Sequence, residues 1–246
     1  MLLALLGSGE FLPWQAGVDR WLLERARPGG VLVLPTASAP EADGVFARWA
    51  SMGLAYYRDE LGVEAEVLPV RTRQDAERPD LVARLDAAAL VFFSGGNPAY
   101  LVHVLRATPF WEALLGGMED GLAFGGCSAG AASLGRVVPD SAASRRGGSL
   151  VWEAGLGVLQ RCCVAPHWDA LETYRPGLTE EFARSVPEGD RLLAVDEQTA
   201  LFGDGQEWLV AGAGAVHVRD AYGAWQHAYA GEALHLELVA GGRELI

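Results

Sequence analysis

Residues 121–132 read Gly-Leu-Ala-Phe-Gly-Gly-Cys-Ser-Ala-Gly-Ala-Ala. A short apolar run, Leu122 to Phe124, meets two glycines and is followed by a stretch of small residues with helical character, so the segment reads as strand, sharp turn, helix. Within it, Gly126 to Gly130 fits G-x-S-x-G with Ser128 at the centre. A nucleophile on such a turn needs small neighbours, because the strained backbone leaves little room for side chains. The helix N-terminus behind it favours developing negative charge. Gly126, Ala129, Gly130, Ala131 and Ala132 meet that demand. The plainer alternative is a glycine turn whose serine caps a helix.

Outward from this segment, similar apolar runs end in Gly, Ser or Pro at Leu2 to Leu6, Val31 to Leu34, Ala65 to Val70 and Leu90 to Phe93. Between them, Trp14 to Ala26, Asp43 to Leu61, Arg73 to Ala87 and Pro109 to Asp120 repeat apolar residues at three and four, the helical spacing. This alternation predicts an α/β fold, a mostly parallel twisted sheet flanked by helices, with residues 1–246 as a single domain. Beyond about residue 190, Thr199 to Phe202, Trp208 to Val210, Ala215 to Val218 and Leu234 to Val239 read as short antiparallel strands at the C-terminus. Ser141 to Ser149, with Arg145, Arg146 and paired glycines, is expected to be a mobile loop.

Composition removes whole classes of chemistry. All 19 basic residues are arginines, so Schiff-base lysines, lysine bases and the P-loop lysine are excluded. A net charge of −13 opposes nucleic-acid binding, which draws on basic contacts to phosphate. Cys127, Cys162 and Cys163 make neither a complete disulfide set nor a metal-ligand spacing, and reduced thiols fit a cytoplasmic protein. The opening apolar stretch is too short for a signal peptide, and no run reaches the roughly 20 residues of a membrane span. No metal or cofactor is expected; a homo-oligomer is compatible with the chain.

In an open α/β sheet the ligand crevice lies beyond the carboxyl ends of the strands. Those ends carry Gly7-Ser8-Gly9-Glu10, Pro35 to Ser38, Ser94-Gly95-Gly96-Asn97 and Gly125 to Ser128. Ser128 needs a base and donors for an oxyanion. The Ala129 amide is one donor, and Gly95 or Gly96 is expected to supply another. Of the five histidines, His167 follows a short apolar run that ends near Val164, which puts it at a strand end. His103 falls in mid-helix, and His217, His227 and His235 lie in the antiparallel region. The orienting acid is open among Glu197, Asp196, Asp169 and Asp140, with Glu197 favoured.

Together these residues resemble the family of serine peptidases that contains dipeptidase E and cyanophycinase, with a flavodoxin-like fold similar to class I glutamine amidotransferases. The resemblance rests on motifs in order: the Gly7 to Glu10 turn, Gly95-Gly96-Asn97, the Gly126 to Ala131 elbow, His167, and Asp196-Glu197-Gln198-Thr199-Ala200-Leu201. It implies Ser128 as nucleophile, His167 as base, Glu197 as orienting acid, and Gly95, Gly96, Asn97 and Ala129 around the oxyanion and substrate. Amidotransferase activity is disfavoured because the elbow centre is Ser128, with Cys127 out of register. The resemblance implies a peptidase for short peptides, with N-terminal aspartyl peptides as the dipeptidase E-like case. Cyanophycinase would show Asp-Gln-His followed by close arginines, where this chain has Ala165-Pro166-His167 and then only Arg175 before Arg184. Two alternatives remain: an esterase using Ser128, Asp196 and His227 or His235 in α/β-hydrolase order, and a catalytically silent binding domain.

Overall fold

The computed structural model describes residues 1–140 and 148–239. The stretch expected to be a mobile loop, with Arg145 and Arg146, therefore lies mostly outside the described residues. The first strands are β1 (Leu3–Leu6), β2 (Gly30–Leu34), β3 (Ala65–Val67), β4 (Ala88–Phe93) and β5 (Ala123–Cys127). They are followed by β6 (Val137–Pro139), β7 (Trp152–Ala154), β8 (Cys162–Ala165) and β9 (Arg191–Val195). The chain continues with β10 (Thr199–Gly203), β11 (Glu207–Gly212), β12 (Ala215–Arg219), β13 (Trp225–Tyr229) and β14 (Ala233–His235).

Among the described residues these strands form two sheets. In the eight-stranded sheet, β1-β5-β4-β2-β3 run parallel, and β10, β11 and β14 extend it antiparallel from β1. The six-stranded sheet has the order β13-β12-β9-β8-β6-β7, parallel through β9-β8-β6 and antiparallel at both edges. The C-terminal strands are thus shared between two sheets, a division that the apolar runs did not reveal.

Both faces of the parallel block are covered at β1, β2, β4 and β5, which is why these strands read as continuous apolar runs, whereas the edge strand β3 is partly exposed. In β1, Leu3 and Leu5 enter one core while Ala4 and Leu6 enter another. The second of these cores is roofed by α1 (Ala16–Leu23) and α2 (Asp43–Tyr56). The first is filled from α5 (Pro98–Leu105), α6 (Pro109–Glu119) and α7 (Ala129–Ser133), and it continues into Val164, Leu193, Val195 and Val216 of the six-stranded sheet. The other face of that sheet packs Cys163, Ala165, Leu192 and Ala194 beneath Leu171 and Phe182.

Local chemistry explains where the helices break. The helical pattern over 73–87 is split into Arg73–Ala76, Pro79–Val82 and a 3-10 turn. Pro79 has no N–H to donate and holds Arg78 in an extended conformation, so the helix restarts there. The pattern over 43–61 widens after Tyr56 into a π turn that Gly62 ends at φ 66.

Candidate active site

The Ser128 turn is compressed from both sides. A Cβ on Gly126 would lie 2.6 Å from the Gly130 carbonyl carbon, and one on Gly130 would lie 2.4 Å from the Phe93 oxygen. Ser128 itself is held at φ 51, ψ −107, a conformation that costs an L-residue on the order of 1–3 kcal/mol. Its N–H donates to Leu6 O at 2.9 Å, and its carbonyl accepts from Ala132 N–H at 2.9 Å, opening α7. The strain thereby lifts Oγ off the strand end.

His167 lies two residues past β8, in the left-handed region at φ 56, ψ 32. Its Nε2 is 2.9 Å from Ser128 Oγ and its Nδ1 is 3.0 Å from Glu197 Oε1. An ionised carboxylate only accepts, so Nδ1 carries the proton and the Nε2 lone pair faces the serine hydroxyl. Glu197 stands in the turn after β9. Because β8 and β9 pair in parallel with Ala165 opposite Ala194, their two ends arrive at one level.

Both ring nitrogens of His167 are thus engaged, which leaves none for the other candidate acids. Asp169 Oδ1 instead accepts the Glu197 N–H at 2.8 Å and so fixes the backbone of the acid turn. Asp196 faces into the six-stranded sheet, accepting from Ala215 N–H at 2.9 Å and lying 3.1 Å from His217 Nε2. Asp140 follows β6, its N–H on Val151 O at 2.8 Å. His227 Nδ1 is 2.6 Å from His217 Nδ1, and His235 Nδ1 is 2.6 Å from Glu207 Oε1, so neither is the ring on Ser128. His103 lies within α5, as its spacing predicts.

The glycine turn after β4 differs in detail from the expected oxyanion site. The Gly95 N–H donates to Glu10 Oε1 at 2.8 Å and is therefore already engaged. Asn97 donates its N–H to Ala37 O at 2.8 Å and accepts Tyr100 N–H on Oδ1 at 3.0 Å, so it caps α5. Gly96 lies between them at φ 144, where a Cβ would sit 2.4 Å from Ala37 O. Ala129 begins α7, and first-turn amides have no partner within their helix. The Gly96 N–H follows Gly95, where a Cβ would lie 3.5 Å from Ser128 Cβ, and the Ala129 N–H follows Ser128 in the chain.

Two contacts went unseen in the sequence. The Tyr174 hydroxyl donates to Glu197 Oε1 at 3.2 Å, and partial burial followed by that carboxylate raises its pKa. Nothing in the spacing of Tyr174 signals this. Glu10 belongs to the quoted first turn, yet its reach to Gly95 across 85 residues carries no local signature. Cys127 is buried, and burial first, then Glu10, holds its thiol well above the ordinary range. It stays protonated behind the elbow. Trp168 packs against Trp225 and His217. Arg175 is ion-paired with Glu181 and donates to Gly148 O at 2.9 Å. Among the described residues no group of three or more His, Cys, Asp or Glu could hold a metal ion, and no helix is long and apolar enough to cross a membrane.

The model of peptidase family S51 matches residues 3–210. A cyanophycinase of Nostoc sp. (strain PCC 7120) is 31% identical over 199 residues, which cover 77% of this chain and 63% of that protein. A cyanophycinase of Synechococcus elongatus is 34% identical over 199 residues, covering 76% of this chain and 58% of that protein. The matched region thus spans less than two thirds of the length of these relatives. The crystal structure of a peptidase from an acI-B1 actinobacterium is similar with a TM-score of 0.85 and 33% identity, over 96% of each chain. A Listeria monocytogenes EGD-e protein named for peptidase E shares the fold, with a TM-score of 0.62 and 18% identity over 86% of this chain and 98% of that one.

Proposed function

We propose, from the premise that this chain belongs to peptidase family S51, that it hydrolyses short peptides as a serine peptidase through an acyl-enzyme on Ser128. The observation that carries this reading is the unbroken chain of bonds from Ser128 Oγ through His167 to Glu197. Ser128 Oγ attacks the scissile carbonyl while His167 Nε2 takes its proton. Glu197 holds the ring in the productive tautomer and stabilises the imidazolium. The Gly96 and Ala129 amides bind the oxyanion. The imidazolium then protonates the leaving amine; in the second half His167 takes a proton from the attacking water and returns it to Ser128 Oγ as the acyl–oxygen bond breaks and the carboxylic acid leaves. No step calls for a metal or an organic cofactor.

The substrates in this reading are short peptides cut from one end, N-terminal aspartyl dipeptides among them, and the protein works in the cytoplasm, where its three buried free cysteines stay reduced. The whole chain acts as one unit, since the nucleophile and its base come from different sheets that share one core. The test is amino-acid release from dipeptides with N-terminal Asp, Glu, Ala or Leu and from β-Asp-Arg, comparing wild type with Ser128→Ala. Release that disappears in the mutant supports the reading, and its pattern across the panel gives the side-chain preference. If His227→Ala or His235→Ala abolished activity while His167→Ala kept it, the esterase alternative would replace this one. A folded wild-type protein that neither cleaves the panel nor labels with a fluorophosphonate would make the chain a binding domain.

A further inference from the structure

We propose that Glu10 is a positioning residue of this site: a buried carboxylate that aims the Gly96 amide at the oxyanion by holding Gly95 from one side and Cys127 from the other. The inference rests on the serine-peptidase reading above. Glu10 is only 5% exposed, at the end of the turn that leaves β1. Burying a carboxylate is costly unless its oxygens are hydrogen-bonded. Here Oε1 accepts the Gly95 N–H at 2.8 Å and Oε2 accepts the Cys127 thiol at 3.0 Å.

Each partner immediately precedes a group that acts in the proposed reaction. Cys127 is followed by Ser128, and Gly95 by Gly96. The strands concerned are neighbours in the order β1-β5-β4 and are already joined by their own ladders. The carboxylate therefore adds the relative setting of two loops rather than the pairing of strands. Side-chain space there is tight: a Cβ on Gly95 would lie 3.3 Å from Glu10 Oε1, with Ser128 Cβ at contact distance, 3.5 Å away. The glycine turn is thus pinned at both ends, Gly95 by Glu10 and Asn97 by Ala37 O, with the Gly96 amide between the pins. Glu10 itself does not touch the reacting atoms; it acts through the direction of that amide.

The experiment compares wild type, Glu10→Ala, Glu10→Gln and Glu10→Asp as full chains. It measures kcat and KM on a peptide the wild type cleaves, together with hydrogen–deuterium exchange of the segment containing Gly95. Loss of aim by about 1 Å is worth roughly 100-fold in rate, so Glu10→Ala is expected to lower kcat by about 10- to 100-fold with KM within about 3-fold. Glu10→Gln keeps an oxygen for the Gly95 N–H and should regain most of that loss, while the shorter Asp should not. Exchange at Gly95 should quicken in the Ala and Asp variants and stay near wild type in Gln. A folded Glu10→Ala protein with unchanged kcat, or with unchanged Gly95 exchange, overturns the proposal. So does a Gln variant as impaired as Ala, which would mark a purely structural role. If Glu10→Ala fails to fold, the Gln and Asp pair carries the same contrast. A wild type that cleaves nothing would refute the peptidase reading instead, and the exchange measurement would still decide whether Glu10 holds the turn.

Discussion

Replacing Glu197 with glutamine separates charge from shape at the acid position. The amide oxygen can occupy the place of Oε1, where the Tyr174 hydroxyl and His167 Nδ1–H both donate, so the ring tautomer is kept. What is lost is the attraction between a carboxylate and the imidazolium that forms during reaction. Unit charges about 4 Å apart attract by about 4 kcal/mol at an effective dielectric near 20 and by about 1 kcal/mol in water. The His167 and Glu197 side chains are 27% and 38% exposed, so the pair lies between these limits. A value of about 2 kcal/mol corresponds to a drop of roughly 30-fold in kcat at about 1.4 kcal/mol per decade. That is far less than the roughly 10,000-fold cost of Asp→Asn in a chymotrypsin-type triad, where the amide leaves the imidazole in the wrong tautomer; here the amide oxygen still accepts from Nδ1–H. Steady-state kinetics on a cleaved peptide measure it, with Asp196→Asn and Asp169→Asn as comparisons. Asp196→Asn should instead lower the melting temperature, because its carboxylate is buried on Ala215 N–H and His217. The reasoning is refuted if Glu197→Gln is as active as wild type while either aspartate variant abolishes turnover.

Three further outcomes follow from the geometry. Asp19 is fully buried, and burial pushes its carboxyl up to about 7 from 3.8, against the opposing hydroxyls of Tyr56 and Tyr57 and the Gln15 amide. The folded protein thus keeps a proton that the unfolded chain sheds, so stability should fall as pH rises from about 4 to about 7 and then level off. Asp19→Asn should remove that slope and raise the melting temperature at pH 8 but not at pH 4; equal shifts at both would contradict it. Gly130→Ala places a methyl 2.4 Å from Phe93 O and should cost about 1–3 kcal/mol in chemical denaturation, with activity lost as the elbow shifts. Tyr174→Phe removes one exposed hydrogen bond to Glu197, so kcat should fall by only about 5-fold, the equivalent of about 1 kcal/mol; a loss beyond 100-fold would mean that the hydroxyl touches substrate.

How much of this was legible depends on whether the cause was local. The β1, β2, β4 and β5 runs are buried on both faces, so apolar content alone reveals them, and the glycines and alanines around Ser128 record the crowding of the elbow directly. The position of His167 follows from the apolar run that precedes it. Glu197 and Asp196 are harder to tell apart, because they end the same strand and differ only in the side to which they turn. That side is set by Ala215 and His217 on β12, which a linear reading does not bring near. The β13 strand, exposed at four of its five positions, offers no apolar run to detect. The hand of the Gly95 peptide depends on Glu10, 85 residues away, so the glycines announced a close approach without saying which amide would face the substrate.

The split of the site between two sheets explains why α7 is built from the smallest residues. Ser128 rides on β5 of the eight-stranded sheet, whereas His167 and Glu197 ride on β8 and β9 of the six-stranded one. The 2.9 Å contact between Ser128 and His167 therefore depends on how closely the two sheets approach. The short helix Ala129–Ser133 lies in that gap, touching β5 on one side and β8 on the other. Its Ala129 and Ala131 share a core with Val164 and Val195. Larger side chains there would hold the sheets apart, and proton transfer needs the heavy atoms within about 2.6–3.2 Å. Small residues at the elbow thus serve twice: they relieve the strained turn that exposes Oγ, and they let the second sheet come close enough to deliver the imidazole.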